Sequence, residues 1–207
     1  MRKLSILLFF VILCHSCRTT HEVTRYCNPI INADAPDPSL TRCGDDFYLI
    51  TTTMHMMPGA PVMKSKDLVN WELASYVFDT LNDTPKYEME EGTVYGRGQW
   101  ASSIRYHDGM FYVLFSPNDE PYSSYIYSST DPSTDKWKLV SRTSHFHDAS
   151  LFFDDDGRTY VFYGTGSLQE LKSDLSDIKE DGVSMRIFER DEEETGLLEG
   201  SHVIKYD

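Results

Sequence analysis

Positive charge is scarce in this chain. Nineteen Lys and Arg face 33 Asp and Glu, giving a formal net charge of −14. Nucleic-acid binding needs a basic surface to neutralise phosphates, so that class of partner is excluded. Cysteine is scarce too, with four in 207 residues. Cys14 and Cys17 fall in the N-terminal leader, which leaves Cys27 and Cys43. Two cysteines are too few for a disulfide framework, and neither has metal-ligand spacing. No segment sustains a 3.6-residue apolar period over three turns, which argues against long helices. The apolar run from Leu4 to Cys14 is too short to span a membrane stably.

That run has another reading. Met1-Arg2-Lys3 is basic, the apolar stretch follows, and Ser16 stands before Cys17. This is the layout of a secretory signal. Residues 1–17 are therefore expected to be a signal peptide, with Cys17 as the lipidated residue of a bacterial lipoprotein; the alternative is ordinary cleavage nearby. Residues 18–27 read as a polar tether, and 28–207 as the folded region. The expected location is outside the cytoplasm: a periplasmic or cell-surface lipoprotein, or a secreted protein. Membrane contact would come only through the lipid anchor.

Aromatics are plentiful, with 13 Tyr, 11 Phe and three Trp. They sit in short β-forming stretches such as Phe47-Tyr48-Leu49-Ile50, Met110-Phe111-Tyr112-Val113-Leu114-Phe115 and Thr159-Tyr160-Val161-Phe162-Tyr163. Turn residues precede each: Cys43-Gly44-Asp45-Asp46, His107-Asp108-Gly109 and Asp154-Asp155-Asp156-Gly157. Asp-Gly between apolar runs is a strong hairpin signal, because glycine accepts the positive φ of a tight turn.

A four-residue pattern recurs ahead of these hairpins. Its copies are Asp37-Pro38-Ser39-Leu40, Trp100-Ala101-Ser102-Ser103, Asp148-Ala149-Ser150-Leu151 and Glu199-Gly200-Ser201-His202. Trp100 and Asp148 each stand twelve residues before a tyrosine, Tyr112 and Tyr160, and eight before an aspartate, Asp108 and Asp156. The lead residues are 63 (37 to 100), 48 (100 to 148) and 51 (148 to 199) apart. Four-stranded units at this period read as propeller blades, with a β-sandwich as the competing architecture. About three blades and the start of a fourth fit, so an incomplete propeller, a partial chain of a longer protein, is expected. Circular stacking would bring Asp37, Asp148 and Glu199 to one place.

Grouped carboxylates are the equipment of glycosidic-bond hydrolysis, in which one protonates the departing oxygen and another activates water or attacks directly. At these residues the sequence resembles glycoside hydrolase family 43, the exported β-xylosidases, α-L-arabinofuranosidases and arabinanases. The matching stretches are Asn28-Pro29-Ile30-Ile31 through Ala35-Pro36-Asp37-Pro38-Ser39; Pro58-Gly59 with Ser65-Lys66-Asp67-Leu68-Val69-Asn70-Trp71; Trp100-Ala101-Ser102 with Ile104-Arg105-Tyr106; His147-Asp148-Ala149-Ser150-Leu151-Phe152; and Glu199-Gly200-Ser201-His202.

The resemblance implies a five-bladed propeller and an inverting hydrolase. By it, Asp37 is the general base, Glu199 the general acid, and Asp148 the carboxylate that tunes and orients the acid. Asp34 is the rival base. The substrate would be a neutral oligosaccharide or polysaccharide derived from xylan or arabinan. Trp100 is a candidate wall of the sugar site or a structural residue at the blade's inner end. Met54 lies where relatives often carry aromatics, so it is a candidate sugar contact with a changed subsite shape. Arg105 reads as a surface strand residue in preference to a sugar-contacting cation.

No cofactor is expected, and relatives hold any axial cation through a histidine in a later blade. His145, His147 and Asp148 form only a weak metal pattern, and no metal is assigned. The polar stretch Phe78 to Arg97 reads as a loop at the propeller mouth. Two other functions remain open: a non-catalytic carbohydrate-binding lipoprotein, and a β scaffold without chemistry.

Overall fold

The computed structural model describes residues 26–54 and 56–206. Among these are twelve strands in three antiparallel sheets of four. The first sheet holds β1 (Ser39–Cys43), β2 (Asp46–Ile50), β3 (Gly59–Ser65) and β4 (Glu72–Phe78). The second holds β5 (Gln99–His107), β6 (Met110–Pro117), β7 (Ser124–Ser129) and β8 (Lys138–Thr143). The third holds β9 (Ser150–Phe153), β10 (Thr159–Tyr163), β11 (Ser167–Leu171) and β12 (Ser184–Arg186). One short 3₁₀ helix, Pro85–Glu88, interrupts the connection between the first two sheets.

Within each sheet the strands pair in chain order. Between sheets the first strands meet, β1 against β5 and β5 against β9. Successive meanders that converge on their first strands are blades of a β-propeller. The repeat in the sequence therefore marks the inner strand of each blade. Its lead residues lie at one end of the ring, the mouth, together with the blade-to-blade connections. The hairpin turns inside each unit, after β1, β3, β5, β7, β9 and β11, lie at the far end.

Alternation along the strands explains the stacking. On β6, Phe111, Val113 and Phe115 face the first blade, where they join Tyr48, Ile50, Val62 and Phe78. Tyr112 and Leu114 face the third blade, where Leu114 joins Leu151, Val161 and Leu171. A middle blade has both faces covered, so its central strand reads as a continuous apolar run. Each fully buried side chain of this kind stabilises the stack by about 1.5–3 kcal/mol. Gly59 is required where β3 begins, because a Cβ there would lie 2.2 Å from the Phe78 ring. The hairpin after β5 has Asp108 and Gly109 both at positive φ, 47° and 78°, with His107 paired to Met110. This is the two-residue turn that the Asp-Gly pair specifies.

Serine hydroxyls join one blade to the next. Ser39 Oγ accepts from the Ile104 amide at 3.2 Å, and Ser103 Oγ from the Leu151 amide at 3.3 Å. Ser150 Oγ donates to the Ser201 carbonyl at 2.7 Å. The far end repeats the device: Ser75 Oγ donates to the Pro132 carbonyl at 2.7 Å, and Ser141 Oγ to the Leu175 carbonyl at 2.6 Å. Serines within the repeated pattern thus serve as seams, Ser39 and Ser150 from its third position and Ser103 from its fourth.

Residues 187–206 form no strand. The fourth copy of the pattern runs beside β9, held by the Ser150–Ser201 bond and by Lys205, whose Nζ contacts Asp154 at 3.2 Å and also Asp155. The connection after β4 is bolted to the second blade and is not a free loop. Leu81 and Val94 are buried. Asp83 takes the Tyr125 hydroxyl and pairs with Arg142 Nε at 3.0 Å. Cys27 and Cys43 are free thiols. Cys17 and the proposed leader lie outside the described residues.

Candidate active site

The mouth gathers the carboxylates that the sequence places at the heads of the units. Asp37 and Asp148 line one hollow of about 220 Å³, with Ala101, Ser102, Gly200 and His202. Glu199 stands beside it, joined to His147, whose Nε2 lies 3.0 Å from Glu199 Oε2. His147 Nε2 is also 3.9 Å from Asp148 Oδ1. A larger hollow of about 500 Å³ lies between the segment 28–38 and Trp71. Its walls carry no titratable side chain, so the smaller, acidic hollow is where chemistry is available.

Local backbone geometry presents these groups. Asp37 and Asp148 both adopt positive φ, 51° and 47°, just before the inner strands β1 and β9. Aspartate tolerates this region better than most side chains. The kink ends the incoming connection and turns the carboxyl toward the hollow. Asp148 is half-buried, and burial pushes its carboxyl above the ordinary value; His147 pulls it down, while Glu199 and then Asp37 push it further up. Burial and neighbouring like charges both disfavour the charged form of a carboxyl.

Trp100 belongs to the same mouth. Its indole donates to the Gly96 carbonyl at 2.9 Å, and its ring centroid is 6.1 Å from that of His147. Met54 is near it along the chain path, because the Met54 amide donates to the Gln99 carbonyl at 2.9 Å. Met54 is partly exposed and does not line the acidic hollow. Asp34 does not line it either.

Several residues were not singled out from sequence. Gln99 is buried, and its amide is a hub. Its Oε1 accepts from the Thr53 amide at 2.8 Å and the Ala60 amide at 3.1 Å, and its Nε2 donates to Ser102 Oγ at 2.7 Å. It fixes the β2–β3 connection against the strand that carries Trp100. The glutamine immediately before the lead tryptophan was the available signal. His147 was visible in the stretch that carries the family resemblance and in a weak metal pattern, with no role assigned to it. Its partner Glu199 lies far away in sequence, and no local spacing pairs them.

Arg105 departs from expectation. It is half-buried; its Nε donates to the Leu151 carbonyl at 2.9 Å, its Nη1 to the Ile104 carbonyl at 2.9 Å, and its Nη2 lies 3.3 Å from His202 Nδ1. It is a strut between the second and third blades, because an arginine on an inner strand finds carbonyls there in place of solvent. Burial, followed by the adjacent Arg105 charge, holds His202 below the ordinary histidine value.

One ligand atom from each of His147, Asp148 and Glu199 lies within 4.8 Å of the other two. The cluster is compact enough for a cation, but the His147–Glu199 hydrogen bond accounts for its closeness without one. His145 is not part of it.

Carboxylates and two histidines, His202 in the hollow and His147 beside it, gather groups able to exchange protons at the propeller mouth. Comparison with known proteins gives the family. The model of the glycosyl hydrolases family 43 matches residues 26–207. A beta-xylosidase of Formosa agariphila is 31% identical over 183 residues, covering 86% of this chain and 30% of that protein. A non-reducing end alpha-L-arabinofuranosidase of Bacteroides ovatus is 47% identical over 87 residues, 42% of this chain and 16% of that protein. Among solved structures, a bifunctional GH43-CE protein of Bacteroides eggerthii superposes with a TM-score of 0.74 at 43% identity, covering 79% of this chain and 21% of that chain. The chain belongs to glycosyl hydrolases family 43. It spans about a third or less of the length of these relatives, whose fold is a five-bladed propeller, and three blades of that architecture are present among the described residues.

Proposed function

We propose that this chain carries the acid–base site of an inverting glycoside hydrolase that cleaves xylan- or arabinan-derived oligosaccharides. The carrying observation is the convergence of Asp37 and Asp148 on one hollow, with Glu199 beside it. Glu199 protonates the glycosidic oxygen as the bond to the anomeric carbon breaks. Asp37 takes a proton from water, and the water oxygen attacks from the opposite face. Asp148, itself pushed toward its protonated form, supports the proton inventory and orients Glu199. Trp100 offers a sugar-stacking face and Met54 an adaptable apolar neighbour. The relatives divide between xylosidase and arabinofuranosidase names, and the proposal covers both sugars.

The test is turnover of nitrophenyl xyloside and nitrophenyl arabinofuranoside, with the product anomer followed by NMR. Loss of release in Asp37→Asn and Glu199→Gln, with an unchanged circular dichroism spectrum, supports the assignment. Near-normal turnover in either variant overturns it. Sugar binding without release by the unaltered protein would replace it with a carbohydrate-binding role. Export with lipid attachment at Cys17 is part of the same proposal; absence of labelled fatty acid on the protein, or its persistence in Cys17→Ser, removes that part.

A further inference from the structure

We propose that His147 is a positioning residue for Glu199, which it holds by a hydrogen bond so that one chosen oxygen carries the proton to be delivered. The inference rests on the reading of Glu199 as the general acid. Its geometric basis is the 3.0 Å contact between His147 Nε2 and Glu199 Oε2.

A carboxylic acid has one proton and two oxygens. An acid free to rotate presents the proton to the leaving oxygen only part of the time. A donor fixed on one oxygen removes that freedom, because the donor and the acid's own proton cannot share that oxygen comfortably. With the proton of the imidazole on Nε2, His147 donates to Oε2, and Oε1 becomes the protonated atom. The proton leaves Oε1 for the glycosidic oxygen, the bond pair of the breaking C–O bond stays with that oxygen, and Glu199 becomes a carboxylate that His147 still holds.

The imidazole is itself held. Its backbone carbonyl accepts from the Gly164 amide at 2.8 Å, which anchors the residue to the third blade. The Trp100 ring lies beside it, tilted, from the second blade. Asp148, its neighbour in the chain, lies on the same ring nitrogen's side at 3.9 Å. His145 faces it electrostatically from the same connection. Glu199 sits in a segment without regular secondary structure and is exposed. A side chain so placed gains its orientation from a contact made by the rigid blades, and His147 supplies it.

This role predicts a signature that simple damage to the fold does not produce. Delivering a proton matters in proportion to how poorly the leaving group departs by itself. Aryl glycosides of one sugar with graded leaving groups, from dinitrophenyl to alkyl, separate the effects. His147→Leu is expected to lower kcat on the alkyl glycoside by about 10- to 100-fold, with little change on the dinitrophenyl glycoside. His147→Gln, which restores an N–H donor, should recover part of the loss. Equal loss on both substrates, or none on either, overturns the proposal while Glu199→Gln still shows the same leaving-group dependence. If Glu199→Gln itself shows no such dependence, the reading of Glu199 has failed. The contact is then judged by the ¹⁵N resonance of His147 Nε2 in labelled protein: it should shift in Glu199→Leu, and an unmoved resonance overturns the proposal.

Discussion

The two ends of the propeller use the same residue type in opposite ways. At the far end, aspartates and glutamates are tied down. Asp46 meets Lys64 Nζ at 2.8 Å. Asp67 accepts from the amides of Asn70 and Val69 at 2.8 and 2.9 Å. Asp174 accepts from the Ser176 amide at 3.0 Å, and Asp156 from Arg158 Nε at 2.7 Å. Every one of these carboxyls is held below its ordinary value, Asp46 by the Lys64 contact first, Asp67 by the Asn70 amide first, Asp174 by Ser176 and Asp156 by Arg158. At the mouth, Asp148 is pushed the other way by burial and by its acidic neighbours. Among the described residues, Asp37, Asp148 and Glu199 have no Lys or Arg in an ion pair, and His147 contacts Asp148 and Glu199. A carboxylate spent on a turn is locked in its charged form. Asp148, buried beside other carboxylates and without a cation, is pushed toward its protonated form.

The sharpest way to break this contrast is to neutralise one group at each end. Asp37→Asn should lower turnover by about 10²- to 10⁴-fold and leave thermal unfolding unchanged. Asp67→Ala should do the reverse, lowering Tm while kcat stays put. Assay and melting curve on the same two preparations decide the matter, and a shared phenotype would erase the distinction.

The serine seams come next in size. Ser103→Ala leaves the buried Leu151 amide without its acceptor, at a cost of about 1–3 kcal/mol by urea unfolding. Ser75→Ala strips partners from the Pro132 carbonyl and from the Trp137 indole, which donates to Ser75 Oγ at 3.2 Å. A similar loss is expected there, so the seams should prove alike although the carboxylates differ.

The pH dependence of stability gives the smaller effects, and the two ends carry opposite signs. The far-end aspartates have folded values below the unfolded value of 3.8. Their contribution is complete above the unfolded value and is lost as pH falls through the folded ones. Asp148 is raised above 3.8, so its favourable contribution is present below that value and is lost as pH rises through the folded value. Asp148→Asn should therefore raise Tm modestly at neutral pH, and the gain should vanish near pH 3. A gain that persists in acid would mean that charge at this position is not the cause.

Much of this was legible in the sequence. Asp108-Gly109 announced its hairpin, and the register of Trp100 with Asp148 identified equivalent strands in successive blades. Those signals are local, set by backbone sterics and by period-two alternation. β12 was missed because Ser184-Met185-Arg186 is exposed throughout and has no apolar alternation to read. The role of Ser39, Ser103 and Ser150 was missed because buried serine looks polar to any hydropathy argument. The repeat located the lead carboxylates, but the His147–Glu199 contact joins two units and depends on tertiary geometry. Arg105 was misjudged for the same reason, since its acceptors are carbonyls of its own strand and the next blade.

The serine seams inside the pattern have a further consequence. Because Ser39 and Ser103 bind blade to blade and Ser150 binds the fourth copy, the residue that opens each pattern is spared that duty. Asp, Trp, Asp and Glu occupy it in turn. The opening position behaves as a socket and the serines near it as the fastening, so a new chemical group can be tried in one socket without refastening the ring.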